Sequence, residues 1–176
     1  MKQTLTHTRF FVVIGLIIAA AVMRLLPHWP NFTPIAALAL FGGAYISRKW
    51  LAFLIPLAAM FISDLLLGFH SNMGIVYLAF MLTVLIGFAL RKNPRAINVA
   101  SGSLAASTLF YLLTNLAAWY ANPMYPQHLG GLISSYVAGL PFYLNGIAGD
   151  LFYSTLLFGG YYLIRTYVPF ARLVNP

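Results

Sequence analysis

Asp64 and Asp150 are the only acidic residues in this chain of 176 residues, and each interrupts an apolar run. Asp64 stands in AAMFISDLLLGFH and Asp150 in NGIAGDLFYSTLLFGG. A carboxylate in such a setting pairs with a cation on another helix, carries a proton, or anchors a ligand. The matching cation is Arg24, which sits late in a further apolar run. His28, Asn31, His70, Asn115 and Asn145 fall near the polar ends of these runs, and Trp119 offers a flat apolar wall. Together these residues make a candidate substrate pocket. Two imidazoles and a carboxylate are a chemically sensible metal set. No HxH or HxxxH spacing supports one here, so neither a metal nor a cofactor is expected.

The elements that carry these groups are read from composition. Hydrophobic residues make up 61% of the chain and charged residues 7%, against roughly a quarter charged in soluble domains. So little polar surface cannot face water, which points to an integral membrane protein, a single domain over residues 1–176. The net charge of +8 comes from Lys and Arg scattered through short loops, a topology signal rather than a nucleic-acid surface. The absence of cysteine excludes disulfides and thiolate chemistry.

Six apolar segments are expected as helices, at residues 10–26, 34–46, 51–68, 73–90, 97–119 and 142–165. The predicted fold is all-α, with six transmembrane helices. The second segment is short, about 13 residues, and needs its flanks or a tilted, thinned environment to span. GGLISSYVAGLPF, residues 130–142, is apolar but too short to cross and carries Pro141. It is expected to form a short interfacial or re-entrant helix before helix 6. A rival reading takes residues 1–21 as a cleaved signal peptide, leaving five spans.

Nine of the ten cations, all but Arg24, fall on one side of this arrangement. The positive-inside rule makes that side cytoplasmic, with both termini inside. Asp64 then lies about 20 Å from the cytoplasmic end at 1.5 Å per residue, with Arg24 at a similar height. Asp150 lies about 12 Å below the outer end. Every intramembrane charge is thus in the outer half. Two carboxylates with one intramembrane cation leave a charge to be balanced by a proton, a histidine or a ligand.

Several chemistries lack their signatures. There is no GxxxxGK phosphate loop, no GxSxG elbow, no HExxH helix and no arginine ladder, and no loop can hold a catalytic domain. The chain reads as a binding protein, not an enzyme. Its partners would be a small molecule and membrane lipid, not nucleic acid. Small residues mark faces for helix packing or docking: Gly15 and Ala19 in the first segment, and the pair Gly42 and Gly43 in LFGGAY, echoed by LFGGYY near the C-terminus.

The strings PHWPNFTPIAALALFGGAY, PLAAMFISDLLLGFH and GDLFYSTLLFGGYY carry a resemblance. Over about residues 20–165 the chain resembles a family of small bacterial membrane proteins. That family in turn is similar to the substrate-binding S-components of energy-coupling-factor vitamin transporters, in particular the solitary cobalamin-uptake branch. The resemblance implies six helices, both termini inside and a vitamin site near the outer face. It also implies docking of a transmembrane coupling subunit, driven by ATPases, through small residues such as Gly15 and Ala19. The cobalamin branch can ligate cobalt through a cysteine, which this chain lacks; His70 is the nitrogen ligand that could stand in. The expectation is a substrate-binding component for uptake of a small organic nutrient. The alternatives are a proton-coupled secondary transporter and a structural or assembly protein whose charges are internal ion pairs.

Overall fold

The computed structural model describes residues 15–167, and these form six helices with short connections. They are α1 (Gly15–Leu25), α2 (Ile35–Tyr45), α3 (Lys49–Leu67), α4 (Met73–Leu90), α5 (Ala96–Ala121) and α6 (Leu129–Tyr167). The N-terminal part of the first predicted helix, most of the rival signal peptide, and Lys2, Arg9 and Arg172 lie outside the described residues. Helices α3, α4 and α5 are long and apolar enough to cross a membrane. In build this is a multi-pass membrane protein. Helix α2 has 11 residues, about 16 Å at 1.5 Å per residue, too short to cross alone. Helix α6 has the length but not the hydropathy.

This short α2 is the centre of the fold. Helix α2 packs against α3, α4, α5 and α6, and eight of its 11 residues are buried. A helix apolar on every side belongs inside a protein, and IAALALFGGAY is one. Its small side chains set how closely the neighbours approach. A Cβ at Gly43 would overlap the Val84 carbonyl and the Gly87 backbone of α4, and a Cβ at Gly87 would overlap the Leu40 carbonyl and Gly43 Cα. The two backbones therefore touch. Below this contact Ile35, Leu38, Ile55, Ala59, Met60 and Phe80 form the main core, with Ala20 of α1 packed on it.

The C-terminus of α2 leaves carbonyls without an intrahelical partner. Arg91, just past the end of α4, supplies the donors: Nε reaches Gly43 O and Nη2 reaches Ile46 O, both at 2.7 Å. A cation at this end also suits the helix dipole, and the guanidinium lies 4.5 Å from the Phe88 ring centre. Arg91 is one of the nine cations read from the sequence as topology signals. The structure gives it a structural role as well.

One expectation is overturned. Residues 130–142 do not form a separate interfacial or re-entrant helix; α6 runs unbroken for 39 residues through Pro141. The reason is α5, which lies antiparallel along α6 and bonds to both halves of it. Ser103 meets Ser154 at 2.8 Å near one end, and Tyr136 Oη donates to Leu112 O at 2.9 Å towards the other. A proline inside a helix costs about 3 kcal/mol. This continuous seam offsets that penalty. The glycine pair Gly42 and Gly43 is likewise not a docking face: both are buried, Gly42 against Ala52 of α3 and Gly43 against α4.

The close α2–α4 approach makes a direct prediction. Gly43→Ala should destabilise the detergent-solubilised protein by about 1–3 kcal/mol through overpacking, lowering its thermal unfolding midpoint. Gly159→Ala, where an added methyl meets open space, should leave the midpoint unchanged. Equal midpoints for the two variants would contradict the backbone contact.

Candidate functional site

Asp64 and Arg24 form an ion pair between α3 and α1. Arg24 Nη1 also donates to Ser63 Oγ at 2.6 Å, and Tyr77 of α4 donates from Oη to the second Asp64 oxygen at 2.9 Å. Asp64 is only 1% exposed, sealed by these partners and by the helices around it. Such a carboxylate has no free edge to offer a ligand. It holds Arg24 in place and ties three helices together where two apolar side chains would give no direction.

Beside this pair, a cavity of about 290 Å³ opens among the six helices, with Met60 of α3 in its lining. Arg24, Asn31, His70, Asn115 and Asp150 all line it, with aromatic rings from α4, α5 and α6 making much of the wall. Asn31 and His70 are exposed, so the cavity is reached from the end of the bundle that holds the α1–α2 and α3–α4 loops. Asn31 takes φ +66° there, a left-handed turn that asparagine adopts more readily than most residues. Gly139 and Gly146 of α6 also line the cavity; side chains at both positions would narrow it.

Asp150 differs from Asp64 in its partners. It is 6% exposed and accepts one hydrogen bond, from Ser107 Oγ to Oδ2 at 2.6 Å. Among the described residues no cation lies in ion-pairing range of it. Every sealed side-chain nitrogen and oxygen in the described residues has a hydrogen-bond partner. The remaining Asp150 oxygen, which has none, is therefore open to the cavity. The charge imbalance expected from the sequence falls on Asp150.

The other candidates separate. His28 lies in a different surface groove, with Met23, Trp29, Phe32 and Tyr153. Trp119 is outside the cavity, its indole N–H donating to Pro126 O at 3.0 Å in the α5–α6 connection. Asn145 is half-buried on α6 and does not line the cavity either. Gly15 and Ala19 are exposed on α1. Among the described residues no three metal-ligating side chains converge.

Sequence reasoning missed Ser107, Tyr77, Tyr111 and Tyr143. For Ser107 a signal existed: Ser103 and Ser107 on α5, and Asp150 and Ser154 on α6, each repeat at four residues and so share a helix face. Those two faces meet through Ser103–Ser154 and Ser107–Asp150. Tyr77, 13 residues from Asp64 across a turn, gave no comparable signal.

The ion pair predicts non-additive mutations. Asp64→Asn alone strands Arg24 in an apolar setting and should cost about 3–5 kcal/mol. Adding Arg24→Gln should recover much of that loss in thermal unfolding of the purified protein. A double variant as unstable as the sum of the single variants would show that the two residues act independently.

Comparison with known proteins gives the chain a family. No curated protein matches it, and no solved structure does. One family model matches residues 4–171, nearly the whole chain. The chain belongs to DUF6580, a family of unknown function.

Proposed function

We propose that this protein is the substrate-binding membrane component of an uptake system for a small organic nutrient. The observation that carries the reading is the cavity: it gathers Arg24, Asn31, His70, Asn115 and Asp150 from five separate stretches of chain around one space. Its polar groups converge inside an apolar wall, as in small-molecule sites. The mechanism is binding, with no catalytic step.

Charge supports an outward-facing site. Six of the seven Lys and Arg among the described residues lie at the end of the bundle opposite the cavity mouth. By the positive-inside rule that end is cytoplasmic, in the inner membrane, and the cavity opens outside. On this reading all six helices sit in the bilayer, with both termini inside and the short α2 held within the bundle. Passage inward would need either a coupling subunit driven by ATPases, docked on the exposed Gly15 and Ala19 face of α1, or rocking of the bundle. At about 290 Å³ the cavity is at the small end of ligand sites, which run from about 300 Å³ upward. That size favours a vitamin-like molecule of one or two rings over a corrinoid such as cobalamin.

A proton-coupled carrier is the second reading, because Asp150 has no cation partner among the described residues. Uptake abolished by a protonophore but insensitive to ATP depletion would favour it.

Gly146 gives the test. It lines the cavity, and a Cβ there would meet only Asn31 Cβ, at 3.9 Å, so Gly146→Phe should fill the space without disturbing the core. Native mass spectrometry of the wild-type protein, purified in mild detergent, should show a stoichiometric small-molecule adduct. The folded Gly146→Phe protein should lack it. An adduct that persists in the variant, or a wild-type mass that stays bare after incubation with a vitamin mixture, would count against the proposal.

A further inference from the structure

We infer that the molecule bound in this cavity is a small organic cation, such as a protonated amine. The inference rests on the cavity being a binding site, as proposed above, and adds the ligand's charge. The first ground is the charge balance. Arg24 is neutralised by Asp64, which stands behind it outside the cavity lining. His70 is at the exposed mouth. That leaves Asp150, with one oxygen open to the cavity and no cation beside it among the described residues, as the group whose charge a ligand would balance.

The second ground is hydrogen-bond polarity. Asn115 Nδ2 donates to Tyr111 O at 2.8 Å and Asn31 Nδ2 to Phe142 O at 3.5 Å, so each amide has one N–H committed and its oxygen available to accept. With the open Asp150 oxygen, these make three acceptors around one space. They suit a ligand that brings N–H donors. Arg24 also lines the cavity as a donor, and the adjacent Asp64 cancels its pull on an anion.

The third ground is the wall itself. Phe80, Phe110, Tyr111, Phe142 and Tyr143 line the cavity. Tyr111 Oη already donates to Tyr136 O at 2.7 Å, and Tyr143 Oη is bonded to Thr108 Oγ1 at 2.8 Å. What these two tyrosines offer the cavity is ring surface. Aromatic faces around a desolvated carboxylate attract cations and give nothing to an anion.

Three molecules of matched shape test the charge: benzylamine, benzyl alcohol and benzoate, titrated calorimetrically into the full-length protein in a neutral detergent. Benzylamine should bind at least about tenfold more tightly than benzyl alcohol, with no binding of benzoate. In Asp150→Asn the preference should fall to near unity. The wild-type series decides the charge even where that variant fails to fold. Gly146→Phe should abolish binding of benzylamine and benzyl alcohol alike. Equal binding of amine and alcohol, or tighter binding of benzoate, all still blocked by Gly146→Phe, would overturn the cation while keeping the site. No binding of any of the three at millimolar concentration would overturn both.

Discussion

A charge taken out of water must be met by another charge or by hydrogen bonds, and this chain has few groups with which to do it. Its two carboxylates are both buried, and only Arg24 among the described cations lies at their end of the bundle. The structure resolves the shortage unequally. Asp64 receives the ion pair, a tyrosine hydroxyl and full burial, while Asp150 receives one serine hydroxyl and an open edge. A satisfied pair is rigid and directional, which suits it to joining α1, α3 and α4. A half-satisfied carboxylate at a cavity wall keeps an acceptor that none of the described residues fills.

That inequality depends on where the helices can approach. Helix α2 is too short to span but small enough in side chain to be surrounded, and the Gly43–Gly87 contact brings α4 onto it at backbone distance. Arg91 then closes the α2 C-terminus from the far side. With α2 fixed in the middle, α5 and α6 are held as an antiparallel pair against it. Their serine faces turn inward, and Ser107 meets Asp150. The cavity is what remains between this pair and the α1–α3–α4 side of the bundle.

The seam between α5 and α6 is made in the manner of apolar surroundings. Small residues bring the backbones together, and hydroxyls bond across them: Ser103 with Ser154, Ser135 with the Asn115 carbonyl, Tyr111 with the Tyr136 carbonyl. Lipid offers no hydrophobic drive for helices to associate, so packing and hydrogen bonds must supply it. The same seam carries α6 past Pro141 without a break, which makes one long wall for the cavity instead of a lid and a span.

The all-α class and the positions of α3, α4 and α5 were legible in the sequence to within two residues, because a long apolar run bounded by turn residues has few other solutions. So was the arithmetic that one buried cation cannot satisfy two carboxylates. Which carboxylate would win was not legible, since depth along a helix says nothing of its rotation or its neighbours. The same limit hid Tyr77, turned the Gly42–Gly43 pair from an expected docking face into a core contact, and set His28 and Trp119 apart from the cavity. Composition and periodicity determine what a helix must avoid. Only the packing of six helices decides which side chain meets which, because those contacts join residues whose separation in the chain carries no information about their separation in space.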